Sequence, residues 1–336
     1  MTDQTPKAQL LALIRGHRLT DMVLVAARLG VPDVLANGAA DIPTIAAATG
    51  THAPTLYRLL RALAAAGVLH EDAAGRFSLT AAGAYLSADT PESLQGWVAL
   101  IDRPSNREAW ANLEHSIRTG ETSFTALFGE DVWEWRRHEP DEGAIFDRAM
   151  AALSAGVGAA VAGAFDFGRV SVLADIGGGS GSLLAAILGQ HPHLRGILFD
   201  QPAVVANPDE LHRAGVTDRC EVVGGSFFDK VPGGADAYLM KAILHDWEDA
   251  ESIAILRNIR AQIPEHGVLL VVERVIGPPN EDLEGKLSDL HMLVMPGGRE
   301  RTEAEWAALL REGGFTLEEI RPIPGTWQLL LARPAA

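Results

Sequence analysis

The sequence of 336 residues contains a single cysteine, Cys220, and only 28 lysines and arginines against 44 aspartates and glutamates. One cysteine excludes an internal disulfide and is typical of a protein from a reducing compartment. The formal net charge of −16 argues against nucleic acid as a general partner. No apolar run approaches the ~20 residues of a membrane helix, and the N-terminus lacks a signal-peptide pattern. We therefore expect a soluble, cytoplasmic protein that binds neither nucleic acid nor membranes.

The length suits two domains, each with a substantial core. Residues 41–80 predict two short helices followed by a hairpin, the pattern of a winged helix. From Val170 onward, strand-like and helix-like segments alternate, as in a doubly wound parallel sheet. We therefore expect an N-terminal domain over 1–100, a helical connector over 101–165 and an α/β domain over 166–336; the family resemblance described below implies that the first is a dimerisation domain and that the connector contributes to the acceptor pocket.

The α/β domain is expected to contain seven strands and to be covered by helices. The connector should end in one continuous helix over 141–164. A helix over 249–263 should cover the sheet, because one stripe of it carries Ile253, Leu256, Ile259 and Ile263. The predicted strands are 170–176, 194–199, 219–223, 236–242, 267–274, 315–321 and 326–332.

The most informative stretch is VSVLADIGGGSGS, residues 170–182, in which an apolar strand breaks into glycines and restarts as a helix. Glycines in such a turn allow positive φ and close approach of a ligand to the backbone, next to the free N–H groups of a helix N-terminus. The next strand ends at Asp200, where an acid can bind ribose hydroxyls. Ser182 replaces the third glycine of the dinucleotide fingerprint, which favours S-adenosylmethionine (SAM) over NAD.

His245 follows the fourth predicted strand, at the edge where functional groups of this fold class gather. Glu273 ends the next strand, and Glu300 lies in a glycine-containing loop. A carboxylate bonded to one imidazole nitrogen fixes the tautomer and leaves the other nitrogen as a base. For Glu300 the alternative is a solvated neighbour of the capping box formed by Thr302 and Glu305. Cys220 is expected to be a small buried residue and not a nucleophile.

The chain resembles the class I SAM-dependent O-methyltransferases of the caffeic acid and hydroxyindole type, nearly end to end. The resemblance rests on the winged-helix unit and on four blocks, namely ADIGGGSG (174–181), FDQP (199–202), MKAILHDWED (240–249) and DLHMLVMPGGRERT (289–302). It implies a Rossmann-like class I methyltransferase domain with a mostly parallel seven-stranded sheet. It also implies an N-terminal winged-helix domain that forms a homodimer with a second copy, which would use the markedly apolar helices of residues 8–36.

The resemblance further implies the roles of individual residues, with no metal. His245 would be the general base, with Asp246 beside it and Glu273 and Glu300 flanking it. SAM, which becomes S-adenosylhomocysteine, would contact Asp175, Gly177, Gly179, Gly181, Asp200, Gln201, Ser226, Phe227, Lys241 and Trp247. The acceptor pocket would include Trp110, Phe146, Met150, Met292 and Met295. Ser226 is a departure, since many members carry an acid there, and its hydroxyl would have to replace an acidic contact to adenine.

The sequence therefore favours methyl transfer from SAM to a hydroxyl, expected to be phenolic, of a small aromatic or secondary metabolite. Three alternatives stay open. The protein could be a winged-helix transcriptional regulator with a nucleotide-sensing C-terminal domain, although the charges of residues 41–80 sum to zero where a DNA reader shows a basic face. It could be an NAD-dependent oxidoreductase, which Ser182 opposes. It could also be an enzyme of the same fold that uses SAM for decarboxylation or hydroxylation.

Overall fold

The computed structural model describes residues 5–90, 93–154 and 156–335, which form two compact units. The first unit comprises the chain up to Arg103 together with Ala144–Leu153. The second comprises Pro104–Gly143 and the chain from Ser154 onward. The segment 101–165, which the sequence analysis treats as a connector, is thus divided between them.

The first unit is helical, with a small antiparallel hairpin. Asp41 accepts a hydrogen bond from the Thr44 amide at the start of one helix, and Gly50, at φ +64°, ends it. The next helix buries residues at helical spacing, including Leu60 and Leu63. The elements of this unit are α1 (Pro6–Ile14), α2 (Gly16–Arg28), α3 (Val31–Ala36), α4 (Ile42–Thr49), α5 (Ala53–Ala65), β1 (Leu69–Glu71), β2 (Phe77–Leu79) and α6 (Gln95–Ile101). Helices α4 and α5 with the β1–β2 hairpin confirm the predicted winged helix.

Helix α1 buries none of its residues. Its apolar side chains point outward, and Leu13 and Ile14 are 73% and 60% exposed. An exposed apolar patch of this kind is typical of an interaction surface.

Between α6 and the sheet the chain forms further helices, and its residues 144–153 belong to the first unit. One correction to the sequence analysis falls in this segment. The continuous helix predicted over 141–164 is wrong, because Gly156 adopts the left-handed conformation at φ +77° and starts a new helix. The helices up to the sheet are α7 (Pro104–Ala111), α8 (Leu113–Thr119), α9 (Ser123–Phe128), α10 (Val132–His138), α11 (Pro140–Ser154) and α12 (Val157–Ala164). Within the described ranges, no single helix has the length and apolarity to cross a membrane; α11 and α12 meet that test only as a bent pair.

The second unit is built on a seven-stranded sheet, and each predicted strand overlaps one of its members. The strands are β3 (Val172–Ile176), β4 (Arg195–Asp200), β5 (Cys220–Gly224), β6 (Ala237–Lys241), β7 (Val268–Glu273), β8 (Phe315–Pro322) and β9 (Gln328–Pro334). Their spatial order is β5-β4-β3-β6-β7-β9-β8. All pairings are parallel except those of β9, which runs antiparallel to both neighbours. The predicted mostly parallel fold class is confirmed.

Helices cover both faces of the sheet, which makes the fold doubly wound. The helices that follow the strands are α13 (Ser182–Gln190), α14 (Asp209–Arg213), α15 (Asp249–Arg260), α16 (Leu283–Val294) and α17 (Glu303–Glu312). Helices α12 and α13 pack with Leu173 and Leu270 on one face, and α15 and α17 pack with Ala174 and Val271 on the other. Alternate residues of β3 and β7 therefore enter different cores, and the carboxyl ends of β3, β4, β6 and β7 form one edge.

Candidate active site

The glycine-rich turn joins β3 to α13 at the carboxyl edge of the sheet. Gly177, Gly179 and Gly181 have φ values of +72°, +58° and +86°, which side-chain-bearing residues rarely adopt. A Cβ on Gly177 would lie 2.4 Å from Cδ1 of Ile243, whereas a Cβ on Gly179 would meet no atom of the described residues within 4 Å. Gly181 packs against leucines. The turn thus presents bare backbone to open space at Gly179, as a nucleotide-type ligand requires.

Two acids flank this turn. Asp200 accepts hydrogen bonds from the Gly179 amide to Oδ2 (2.9 Å) and from the Gln201 amide to Oδ1 (2.7 Å), and burial raises its pKa. Asp175 is 1% exposed, and its Oδ2 has no hydrogen-bond partner among the described residues. Burial, with the nearby charge of Asp200, raises the pKa of Asp175 to about 7. An orphaned buried acceptor beside an open glycine turn fits a ligand that supplies donors, as SAM does.

Lys241 ends β6 on the same edge. Burial lowers the pKa of Lys241 to about 8, although the charge of Glu273 opposes the shift. Its Nζ lies 4.5 Å from the ring centroid of Trp327, and the guanidinium carbon of Arg274 lies at the same distance from that ring. One indole therefore contacts two cations, a cation–π arrangement.

An aromatic cluster lies beside the predicted adenine contacts. The Trp247 ring is 6.1 Å from Phe227 and 4.8 Å from Phe228, both edge-to-face, and it stacks at 6.1 Å with Trp133 of α10. Asn258 donates to the carbonyls of both phenylalanines and so holds their loop. The Ser226 hydroxyl accepts the Phe228 amide at 3.2 Å. This hydroxyl therefore supports the loop that carries the two phenylalanines.

His245 lies in the 3₁₀ turn Leu244–Asp246 after β6 and is 6% exposed. Its Nδ1 is 3.0 Å from Glu300 Oε1 and 3.4 Å from Glu273 Oε2, and its Nε2 is 3.6 Å from Asp246 Oδ1. The structure brings the four predicted catalytic residues together. With Nδ1 donating to Glu300, Nε2 is left with the lone pair of a base.

Glu300 is held in place by several groups. Its Oε1 also accepts from the Ser288 hydroxyl at 2.6 Å and lies 3.6 Å from Nη1 of Arg274, and its amide donates to Asp289 at 3.0 Å. The capping box of α17 is present too, but it is formed by Thr302 and Glu305. Glu300 is buried, so it is not a solvated neighbour of that cap.

Glu273 contacts mainly the backbone of the turn that carries His245, and its contact with the imidazole is longer. Its Oε1 accepts from the amides of Ile243 (3.0 Å), Leu244 (3.0 Å) and His245 (3.4 Å). Three converging N–H groups favour a negative oxygen. The preceding residue, Ala242, has φ +53°, an unusual conformation for alanine.

The charges of this cluster shift its pKa values strongly. Burial lowers the pKa of His245, but Glu273, Glu300 and Asp246 outweigh it and raise this pKa to about 10. Burial raises the pKa of Asp246 to about 7 and also raises that of Glu273. Burial opposes ionisation of Glu300 as well, yet the charge and hydrogen bond of His245 keep its pKa below the usual range. Glu300 is therefore the carboxylate that pairs with the imidazole.

A second histidine, His291, lies beside Trp110, one of the residues predicted to line the acceptor pocket. Trp110 Nε1 donates to Nδ1 of His291 at 3.0 Å, and the two rings lie 6.0 Å apart, nearly parallel. Burial lowers the pKa of His291 to about 4, so the ring is neutral and carries its hydrogen on Nε2. Met292 and Met295 are buried on the same helical segment. The remaining predicted pocket residues, Phe146 and Met150, lie on α11 within the first unit, and their role stays a prediction.

Several residues of the site were not predicted. Ser288, Arg301 and His291 lie within or next to the block 289–302, so that block carried a signal without indicating their roles. No sequence motif indicated a role for Trp133 or Trp327. The fold alone brings Trp133 to Trp247 and Trp327 to Lys241.

Domain models and known proteins match most of this chain. The O-methyltransferase domain model matches residues 110–316, and the O-methyltransferase dimerisation domain model matches residues 11–89. Phenazine O-methyltransferase PhzM of Lysobacter antibioticus is 42% identical over 326 residues, covering 97% of this chain and 95% of that protein. O-demethylpuromycin-O-methyltransferase of Streptomyces alboniger is 41% identical over 324 residues, covering 94% and 86%. The crystal structure of human N-acetylserotonin methyltransferase in complex with SAM gives a TM-score of 0.91 at 26% identity, covering 100% of both chains.

The chain therefore belongs to the O-methyltransferase family that these domain models define. It is a SAM-dependent O-methyltransferase, and the resemblance drawn from its sequence is confirmed. The regulator and oxidoreductase alternatives are set aside by this membership. SAM is the cofactor that the glycine turn, Asp175 and Asp200 fit.

Proposed function

We propose that the protein methylates a phenolic hydroxyl of a small, flat aromatic metabolite, with His245 as the general base. One observation carries the proposal: Nδ1 of His245 is 3.0 Å from the buried Glu300, which directs the opposite nitrogen, Nε2, away from the carboxylate pair. A buried histidine whose tautomer is fixed in this way suits proton removal from a hydroxyl.

SAM supplies, when bound, an electrophilic methyl group on a positively charged sulfur. The chain's own residues have to bring a hydroxyl to it and remove the proton. His245 Nε2 accepts that proton while Nδ1 keeps its hydrogen on Glu300, so the imidazole becomes an imidazolium beside negative charge. Asp175, Asp200 and the Gly179 backbone would hold the cofactor end, with Trp247 and Phe227 beside its adenine.

The pKa of His245 has a consequence for this role. At about 10, it leaves the imidazole of the unliganded protein protonated at neutral pH. The basic form is reached at alkaline pH, or when a positively charged ligand enters the site and disfavours the imidazolium. Activity is therefore expected to rise with pH.

Two features support an aromatic acceptor. Trp110 and the neutral ring of His291 form a half-buried pair of nearly parallel rings within the second unit, and the buried Met292 and Met295 follow His291 in sequence. Flat rings with adaptable thioethers suit planar molecules. The names of the two relatives refer to phenazine and to O-demethylpuromycin, which fits acceptors of the size of secondary metabolites.

We further propose that the protein works as a homodimer. The dimerisation domain model matches residues 11–89, and the apolar side chains of α1 are exposed in the single chain. A second copy would cover them, as in most symmetric dimers.

The test is His245→Ala. We expect turnover of a phenolic acceptor to fall at least ~100-fold, because a positioned base contributes roughly 10² to 10⁴ in rate. SAM affinity, measured by calorimetry, should change little, since the loss is confined to the chemical step. Equal turnover in the variant would remove the base role and leave positioning as the mechanism. Formation of a decarboxylated or hydroxylated product, without methylation, would replace the proposed reaction with the remaining alternative.

A further inference from the structure

His245 lies in a turn of residues 243–247, which we call the base turn. The loop Gly297–Thr302 packs closely against this turn. The Arg299 amide donates to the His245 carbonyl at 2.8 Å. A Cβ on Gly298 would lie 2.1 Å from that carbonyl oxygen and 2.3 Å from the carbonyl carbon of Asp246. The loop thus approaches the base turn at a distance that only glycine permits.

Arg301 extends this contact with its side chain. It is 1% exposed, and its Nη1 and Nη2 donate to the carbonyls of Leu244 and Trp247, each at 3.0 Å. The guanidinium also binds Asp249 Oδ1 through Nε (3.0 Å) and Nη2 (2.8 Å) and lies over the Trp306 ring. The two carbonyls lie on either side of His245, so the fork of the guanidinium spans the residue that carries the base.

The base turn is therefore held from both sides, its N–H groups by an acidic side chain and its carbonyl groups by a basic one. Glu273 accepts its first three N–H groups, and Arg301 donates to two of its carbonyls. The turn needs such support, because Ala242 precedes it in a left-handed conformation that is unfavourable for alanine. Burying a guanidinium is also costly, and an apolar side chain of similar size would often serve stability equally well.

We propose that Arg301 is a positioning residue for the methyl transfer, fixing the base turn so that His245 meets Glu300 at hydrogen-bonding distance. This rests on the proposed role of His245. Only an arginine presents two parallel donors that can reach carbonyls three residues apart while also binding a carboxylate. Lysine keeps the charge but loses this geometry.

The test compares Arg301→Lys with Arg219→Lys. Arg219 is a matched control, because its guanidinium also binds backbone carbonyls, those of Leu188 and Leu194 among them, at the β5 side of the same unit. We expect Arg301→Lys to lower kcat at least ~10-fold and to move the rising limb of the kcat–pH profile to lower pH, because a looser base turn weakens the contact of His245 with Glu300. Arg219→Lys should leave the profile in place even where it lowers the melting temperature.

Asp249→Asn provides a second variant if Arg301→Lys does not fold. Asp249 is half exposed, and its loss frees the guanidinium without burying a new group. A smaller shift of the pH limb in the same direction supports the proposal. The proposal would be overturned if Arg301→Lys and Asp249→Asn both showed the same kcat, and the same rising limb of the kcat–pH profile, as Arg219→Lys. If His245→Ala loses activity while Arg301→Lys and Asp249→Asn behave like Arg219→Lys, the positioning role of Arg301 is rejected and the base role of His245 stands. If His245→Ala keeps full activity, the proposed base role itself is rejected.

Discussion

Glu273 and Glu300 both lie against the imidazole of His245, yet their environments differ. Glu273 Oε1 is occupied by three backbone amides, and the pKa of this residue is raised by burial. Glu300 has a hydroxyl donor, a nearby guanidinium and the shorter contact to Nδ1. The two acids thus make different contacts: Glu273 binds the backbone of the turn, and Glu300 binds the imidazole ring of His245.

This division predicts different outcomes for two substitutions of Glu300. Glu300→Gln keeps an oxygen for the Nδ1 hydrogen but removes a negative charge, which lowers the pKa of His245. The rising limb of the kcat–pH profile should therefore move to lower pH, with a modest loss of maximal rate. Glu300→Ala removes the acceptor as well and should cost at least ~10-fold more in kcat, since the tautomer is no longer fixed.

Glu305→Gln is the matched control for this experiment. Glu305 lies on the same segment and accepts hydrogen bonds from Thr302 at the start of α17, so its loss affects only the helix cap. The rising limb of the kcat–pH profile of Glu305→Gln should coincide with that of the unmodified enzyme. An unmoved limb in Glu300→Gln would contradict the assignment of Glu300 as the partner of His245.

The same cluster predicts how the enzyme responds to chelators. His245, Glu273 and Glu300 place potential ligand atoms within 4.8 Å of one another. His245 Nδ1 and three backbone amides already bind these carboxylates through Oε1, although Oε2 of each glutamate has no hydrogen-bond partner among the described residues. Dialysis against EDTA should leave turnover unchanged, and added divalent cations should not raise it. A loss that Mg²⁺ or Zn²⁺ restores would show that a metal takes part.

At the scale of the element, the turn between β3 and α13 makes a sharp prediction. Gly177→Ala would place a Cβ 2.4 Å from Ile243 in a backbone conformation unfavourable for alanine. Ile243 would have to shift, and it begins the base turn. We expect the Kd for SAM to rise at least ~10-fold, measured by calorimetric titration.

Gly189→Ala is the corresponding control. Gly189 lies within α13, where an added Cβ meets nothing within 4 Å, so the change should be neutral or slightly stabilising. Unchanged SAM affinity in Gly177→Ala would mean that the turn is not a cofactor contact.

The elements were largely predictable from the sequence, and the reasons are local. Buried parallel strands such as VLADI and VLLVVE show as continuous apolar runs, and the glycine turn between β3 and α13 is visible in the residue types alone. The break between α11 and α12 was missed, because small apolar residues on both sides of Gly156 continue a helical pattern that one left-handed glycine interrupts. A single backbone conformation of this kind leaves little trace in periodicity.

Topology made part of the site predictable. His245 follows β6 and Glu273 ends the neighbouring β7, so the strand order brings them to one edge, whereas Glu300 was predicted from its glycine-containing loop. The contacts of Arg301 with the base turn depend on how a loop folds back over that edge, and Trp110 reaches His291 from α7 across 181 positions of the chain. No spacing rule encodes such contacts.

At the scale of the whole molecule, the exposed face of α1 predicts an effect of charge on assembly. Leu13→Glu combined with Ile14→Glu should convert a dimer into a monomer in light scattering coupled to size exclusion, because burying two carboxylates in an apolar contact is unfavourable. Leu283→Glu, at an exposed leucine of the second unit, is the control and should stay dimeric. A monomeric unmodified protein, or a dimer that tolerates both glutamates, would contradict the proposed use of α1.

The position of β9 affects when during synthesis this enzyme can become active. Strand β9, residues 328–334, is inserted between β7 and β8, and its first residue, Gln328, pairs with Glu273. Until that segment has left the ribosome, β7 has an open edge, and neither Glu273 nor Lys241 has its finished surroundings. The sheet edge that carries Glu273 and Lys241 is thus completed only after residues 328–334 have been synthesised, and a product truncated before Gln328 would carry a bare strand prone to pair with other chains.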